Sequence, residues 1–426
     1  MSIRIVEFRD FRQDPAQGVP PQVAEAAASI IKGVREGGDR ALLDYTEKFD
    51  GIRMDRQDLS IGKEDLKSAY KSLPPELMRA LVSSAGRIRR FQELQLPREF
   101  SAEMAPGVEV GVKFDPLQSV GVYIPGGRAA YPSTVLMTVI PARVAGVGSV
   151  TLFTPPDRSG DIPATVKAAA HLAGVESIYK AGGAQAIAAM AYGTESVGKV
   201  EKIVGPGNIY VTAAKMLVSW DVAVDMPAGP SEVLIYAEED AIGIADRIAL
   251  DILAQAEHDP LAKAMLVTPS RELAHRVKDA LEILMVQAPR KEILERSIPN
   301  AAAVIVKDRS EGIDAINNAA PEHLEIIGLG AGDVMKGVRN AGAVFLGEFS
   351  PVAVGDYSAG TNHVLPTMGW ARRASPLSTR DFLRAREWVK CTRDGLRTVG
   401  KDAIAMAKAE GLLNHARSVE ARLEAD

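Results

Sequence analysis

The chain has 426 residues, 46% of them hydrophobic and 25% charged, a globular composition with length for two or more packed domains, which excludes a disordered or fibrous chain. Fifty Lys and Arg against fifty-five Asp and Glu leave a formal charge of -5 at pH 7, so the chain is not built to neutralise a nucleic-acid backbone. The amino-terminal residues show no basic region followed by an apolar stretch, and the most apolar segment, 133–150, is interrupted by Pro141 and Arg143. No secretion signal and no membrane span are therefore expected, which points to the cytoplasm.

In chain order, the first hundred residues read as helices: an amphipathic run over 21–34 stopped by Gly37-Gly38, a second over 39–49, and more over 76–95. Arg87-Ile88-Arg89-Arg90 reads as a solvated helix face. From Ser119 onward, short β-branched runs end in Gly/Pro turns and are followed by Ala-rich helical stretches. These runs lie at 120–124, 149–153, 177–179, 202–204 and 222–224. A second set lies at 232–236, 265–267, 303–306, 324–327 and 343–346, so the pattern predicts two α/β domains with largely parallel sheets. After Ser375 the chain reads as helix and tail, with Ser378 and Asp381 spaced as an N-cap box. The single cysteine, Cys391, excludes an intrachain disulfide and a Cys-rich zinc site, and its surroundings predict a half-buried helical residue without a chemical role.

Four turns at strand ends are rich in glycine: Pro125-Gly126-Gly127, Ala181-Gly182-Gly183-Ala184-Gln185, Gly205-Pro206-Gly207-Asn208 and Pro227-Ala228-Gly229-Pro230-Ser231. Such turns serve either as tight sheet connections or as a dinucleotide site, and none carries the full G-x-G-x-x-G spacing or a P-loop Lys. Among six histidines, His171 and His275 lie in ordinary helical surroundings. Gln255 and His258 stand at i and i+3 near a helix end, where they suit either a hydrogen-bonding pair or a metal. Asp356 and His363 lie in a polar, Gly-punctuated loop, and Glu410 and His415 flank the helix-stopping Gly411. Together Gln255, His258, Asp356 and His415 would offer two imidazoles and two oxygens, a set suited to zinc and tolerant of manganese or cobalt. Glu322-His323 follow Pro321 at the start of a strand, where an irregular backbone would let both face one site, and His suits proton abstraction near neutrality.

The motifs Pro227-Ala228-Gly229-Pro230-Ser231-Glu232, Gln255-Ala256-Glu257-His258-Asp259-Pro260, Ala320-Pro321-Glu322-His323-Leu324-Glu325, Gly360-Thr361-Asn362-His363 and Ala409-Glu410-Gly411-Leu412 with His415 resemble, in order and over essentially the whole chain, the histidinol dehydrogenase family. The resemblance implies NAD- and zinc-dependent four-electron oxidation of L-histidinol through L-histidinal to L-histidine, the last steps of histidine biosynthesis. It implies one Zn2+ per subunit held by Gln255, His258, Asp356 and His415, and a catalytic pair Glu322 and His323. Substrate contacts fall on Ser231, His363 and Glu410 together with His323 and the metal ligands, and NAD contacts on Tyr123, Gln185 and Asn208. The chain departs from the family at Met368, where a small residue is usual, and in Arg372-Arg373-Ala374.

The resemblance further implies a homodimer with shared active sites, built from two incomplete Rossmann-like α/β domains. Expected boundaries are an N-terminal helical segment 1–22, a discontinuous domain 23–119 and 233–375 carrying the metal and catalytic residues, an NAD-binding domain 120–232, and a C-terminal helical tail 376–426 that crosses to the partner. The alternative is a related zinc/NAD dehydrogenase acting on another polar alcohol such as a sulfonate diol; Pro132-Ser133-Thr134 and the Glu410/His415 pair favour histidinol. A zinc hydrolase would need no Gly-rich nucleotide turns, and a two-domain solute-binding protein would need export and carry no metal shell.

Overall fold

The computed structural model describes residues 3–11, 18–126, 130–227 and 229–424; Gly127 and Ala228, from two of the glycine-rich turns, lie outside them. The chain opens with β1 (Arg4–Glu7), β2 (Ser60–Gly62), β3 (Phe100–Ala105) and β4 (Val108–Pro116). The first α/β unit holds β5 (Ser119–Tyr123), β6 (Ser149–Thr154), β7 (Ser177–Lys180), β8 (Lys202–Val204) and β9 (Ala223–Val224). The second holds β10 (Glu232–Ala237), β11 (Lys263–Thr268), β12 (Ala302–Ile305), β13 (His323–Ile327) and β14 (Ala343–Leu346), and β15 (Leu383–Cys391) precedes the final helices. All ten strands expected from the β-branched runs are present; the central ones, β5, β10 and β13, are buried on both faces as a parallel sheet requires, while β9 and β14 lie at sheet edges and are half-buried or exposed.

The two six-stranded sheets share one plan. The first has the order β2-β7-β6-β5-β8-β9, parallel except for the edge strand β2; the second, β1-β12-β11-β10-β13-β14, is parallel throughout. Without β2 and β1, each is a doubly wound half whose strand order reverses beside its first strand, the place where such sheets bind ligands beyond their carboxyl ends. In the second sheet that crevice is closed by its own side chains: Arg309 donates to both carboxylate oxygens of Glu238, at 2.6 and 2.7 Å, and Tyr236 donates its hydroxyl proton to the same group.

The domain grouping differs from the sequence expectation. The helix Pro21–Asp50 packs on the helices Gly183–Tyr192 and Ile209–Val218, Lys63–Ser72 packs on Ala164–Ala173, Pro75–Glu93 packs on Pro132–Ala145, and β2 pairs with β7. Residues 21–93 thus belong with the sheet of 120–232 rather than with 233–375, while β1 of the amino-terminal segment completes the second sheet. Amphipathic periodicity says that a helix face is buried but not against which sheet. β1, β2 and β3 are short or exposed and carry little strand signal, whereas β4 alternates apolar and polar residues over 108–115, a strand pattern that the helical reading of the amino-terminal part does not include.

The carboxyl-terminal segment also differs. β15 pairs antiparallel with β4, and with β3 they form a three-stranded sheet, so Cys391 is an exposed strand residue rather than a half-buried helical one. Exposure of nearly all of β15 removes the alternation that would have marked it as a strand. The Ser378/Asp381 capping box is present, on the turn Thr379–Phe382. The last helices, Arg393–Ala409 and Leu413–Glu424, bury only Gly395, Gly400 and Ala416. Among the described residues no helix is long and apolar enough to cross a membrane.

The break expected at Gly37-Gly38 is a kink inside Pro21–Asp50, where Gly38 takes φ 56 and a Cβ would strike the Glu195 carboxylate. Asp39 locks the kink: its carboxylate accepts from Thr194 Oγ1 at 2.5 Å and Ser196 Oγ at 2.6 Å and pairs with Arg56 at 2.7 Å, while its N–H donates to Glu195. Burial pushes the Asp39 pKa up, but the Ser196 and Thr194 hydroxyls outweigh it and leave it below the ordinary value. A depressed carboxyl stabilises the fold above the unfolded-state pKa, and that contribution disappears as pH falls through the folded value. Asp39→Ala strands these donors and is expected to cost about 2–4 kcal/mol, read as a lower urea midpoint at pH 7; an unchanged midpoint would show the lock to be dispensable.

Candidate active site

The polar cluster lies at the amino ends of β10 and β13, adjacent parallel strands in which Val233 stands opposite His323. Ala320 takes φ 49 just before Pro321, and this irregular approach lets consecutive residues face one place: Glu322 Oε2 lies 3.5 Å from His323 Nδ1. Both side chains are buried. Residue Glu232 holds the pair through its backbone, its N–H donating to Glu322 Oε2 at 2.8 Å and its carbonyl lying 3.2 Å from His323 Nδ1. A carbonyl can only accept, so it places a proton on Nδ1. His323 Nε2 is then left buried without a hydrogen-bond partner among the described residues, 3.4 Å from Asp356 Oδ1. Burial works against charge on this ring, but the Glu322 and Asp356 carboxylates outweigh it and hold the His323 pKa well above its ordinary value.

The Glu232 side chain points into the same interior. Its Oε1 accepts from the Met368 N–H at 2.9 Å, and burial with Glu322 nearby pushes its pKa up to about 7. Met368, held by that bond, stands at φ 53, a left-handed conformation uncommon for a side-chain-bearing residue. A second buried carboxyl pair, Glu325 with Asp251, sits behind the cluster; burial and the neighbouring acid raise Glu325, whose Oε1 accepts from Val352 N at 2.8 Å.

Asp356 is buried in the turn Gly355–Ala359, which Ser84 and Arg87 of the helix Pro75–Glu93 tie down through the carbonyls of Tyr357 and Ser358. Arg89 and Arg90 lie on the solvated face as expected, whereas Arg87 has this structural duty. His363 Nδ1 donates to the Asp356 carbonyl at 3.0 Å and Nε2 accepts from Thr134 Oγ1 at 3.1 Å. Burial depresses the His363 pKa, in keeping with a neutral ring used in this way. A direct substrate contact by His363 would have to replace the Thr134 hydroxyl.

Gln255, in the last turn of the helix Ala245–Ala256, is buried with Nε2 unpartnered, and His258, two residues past the helix end, is exposed. Burial pushes the Asp356 pKa up, but the neighbouring His323 ring outweighs it and leaves that carboxyl below its ordinary value. Glu410 and His415 lie on the exposed tail. Ser231 is half-buried beside Glu232. Among the described residues no three His, Cys, Asp or Glu side chains of one chain gather to hold a metal; of the four expected ligands, His258 and Asp356 are the only such types outside the tail.

A cleft of about 1320 Å³ opens at the carboxyl ends of the first sheet, lined by Asp50, Tyr123, Gly126, Gln185, Asn208 and Tyr210 among others. Gly205, at φ 114, lets β8 approach the Tyr123 carbonyl where a Cβ would collide. The buried pair Lys215–Asp225 fixes that turn from behind, with Lys215 Nζ donating to the Gly205 carbonyl at 3.1 Å and the Gly205 N–H donating to Asp225 at 2.7 Å. The Tyr123 hydroxyl accepts from Gly183 N at 3.1 Å, and burial pushes its pKa up to about 12. Asn208 Oδ1 caps the helix Ile209–Val218, leaving its NH2 group to donate elsewhere. Gln185 is buried with both amide atoms unpartnered among the described residues, a cost that a ligand in the cleft would remove.

Sequence reasoning missed Asp50, Glu232, Thr134, and the Asp251–Glu325 pair. A signal existed for two: Glu232 and Glu325 are lone carboxylates in otherwise apolar strand runs, where a charge is retained only with partners.

The histidinol dehydrogenase family matches this chain over residues 14–423. The histidinol dehydrogenase of Methanothermobacter thermautotrophicus is 47% identical across 99% of this chain and 100% of its own length, and that of Geobacillus kaustophilus is 45% identical across 94% and 93%. The crystal structure of histidinol dehydrogenase from Elizabethkingia anophelis aligns with a TM-score of 0.94 at 36% identity, over 99% of this chain and 98% of that one. With near-complete coverage in sequence and in structure, the chain belongs to the histidinol dehydrogenase family.

Proposed function

We propose that the protein oxidises L-histidinol through L-histidinal to L-histidine, reducing two NAD, as the last steps of histidine biosynthesis in the cytoplasm. The observation that carries this reading is His323: a buried ring oriented from Nδ1 by the Glu232 carbonyl, with Nε2 unpartnered and Glu322 beside it. Nε2 would take the hydroxyl proton as hydride leaves the carbon, and again from the aldehyde hydrate; Glu322 would draw a proton from the water that forms that hydrate. Which of the two acids and bases serves each half-reaction is set by reach to the substrate.

Metal and cofactor fit the residues present. The Gln255 amide has a buried end without a partner among the described residues, and a 180° flip presents its oxygen there, to join the His258 imidazole and the Asp356 carboxylate. Zn2+ held by Gln255, His258 and Asp356, with His415 of the partner subunit as fourth ligand, would supply a Lewis acid that fixes the substrate's nitrogens and offsets the carboxylate charge on His323. Ser231 and Glu410 would add substrate contacts, and Tyr123, Gln185 and Asn208 would hold NAD.

A homodimer with shared sites is supported by the tail. Two helices and a three-stranded sheet with almost no buried residues do not stabilise themselves, and they carry exposed Met406, Leu412, Leu413, Val389, Phe100 and Met104. Such a surface is what a second copy would cover. The test of the activity is absorbance of reduced cofactor with L-histidinol. Zinc-loaded protein is expected to form two NADH per histidinol, to lose activity with a chelator and to regain it with Zn2+. No NADH from the zinc-loaded protein would overturn the reading.

A further inference from the structure

Asp50 stands where a carboxylate is costly. It is the last residue of the helix Pro21–Asp50, the end at which the helix dipole disfavours an anion. Its Oδ2 is buried and has no hydrogen-bond partner among the described residues, and burial pushes its pKa up to about 6. It lines the nucleotide cleft, close enough to Tyr123 for its charge to add to the upward push on that hydroxyl. No fold contact of the described residues offsets these costs, so a donor arriving in the cleft is the natural partner.

The chemistry of that donor follows from charge and position. A carboxylate repels a pyrophosphate and accepts from a hydroxyl or an amine. The neighbouring Ile52 packs beside Gly160, in the loop after β6. The catalytic cluster reaches this domain elsewhere, through His363 to Thr134 and Gly229 to Thr367, near the helix after β5 and the segment after β9. Asp50 therefore lies toward β6 and Tyr123, across β5 from the Gly229–Thr367 contact, which assigns to it the end of a dinucleotide away from that contact.

Given the NAD reading proposed above, on which this rests, we infer that Asp50 accepts hydrogen bonds from the adenosine ribose hydroxyls of the cofactor and thereby excludes a 2′-phosphorylated dinucleotide. Lys48 and Arg158 also line the cleft, but both are exposed, and Lys48 Nζ lies over the Phe49 ring at 5.4 Å. Solvated cations at the rim are screened, whereas a half-buried carboxylate acts on whatever reaches it.

Isothermal titration of the zinc-loaded protein with NAD and with NADP tests this without turnover. Wild type is expected to bind NAD at least about tenfold more tightly than NADP. Asp50→Asn keeps the shape and removes the charge, and should weaken NAD by about tenfold while bringing the two affinities to within about threefold. Asp50→Ala should give the same loss of discrimination, with unchanged melting temperature or a rise. NAD binding intact and an unaltered NAD/NADP ratio in both variants would overturn the role of Asp50 alone. A wild type that binds neither dinucleotide would overturn the cofactor reading and this inference with it.

Discussion

His323→Asn is expected to lower turnover by a factor on the order of a hundred or more while leaving zinc content and histidinol affinity close to wild type, the usual scale for a lost general base. The substitution is chosen for what it keeps. An Asn amide can still donate toward the Glu232 carbonyl that holds Nδ1 at 3.2 Å, so packing around this buried position survives. What disappears is the ring nitrogen Nε2, the atom that carries the proton in the proposed transfer once a bound cation offsets the neighbouring carboxylates. Steady-state kinetics beside metal analysis reads the outcome. A large rise in KM with unchanged kcat would move His323 from proton transfer to substrate binding, and lost zinc would mean that its contact with Asp356 at 3.4 Å is structural.

Mixing two inactive variants is expected to restore activity. His258→Ala and His415→Ala each remove one proposed metal ligand, one beside the cluster and one on the exposed tail helix Leu413–Glu424. If the tail completes the partner's site, a mixed dimer has one site with both lesions and one with neither. Random reassembly of equal amounts makes about half the dimers mixed, so about a quarter of all sites recover. Were all ligands drawn from one chain, every site would keep a lesion. Co-refolding followed by the dehydrogenase assay, with mixed dimers confirmed by mass, decides it: mixed dimers without activity would rule out the crossing tail.

Much of the site was legible because its chemistry is written in residue types at local spacing. Gln255 and His258 mark a helix end, and Glu322-His323 mark an irregular strand start after Pro321, where the observed 3.5 Å approach follows from the Ala320 backbone at φ 49. Ten of the twelve strands in the two six-stranded sheets were equally legible, since burial of the central strands on both faces demands continuous apolar runs. Other features depend on atoms far apart in the chain. That the Glu232 backbone holds both Glu322 and His323 is a consequence of β10 lying beside β13, across some ninety residues of sequence. Residues 21–93 pack on the first sheet because of shape complementarity, which periodicity does not encode, and β15 is a strand only because β4 offers it a ladder. Asp50 looks in sequence like any surface acid before a helix-stopping glycine. Only the folded chain, by burying Oδ2 near Tyr123 without a partner among the described residues, makes it a group that wants a ligand, because the cost of an unmet hydrogen bond exists only once water has been excluded.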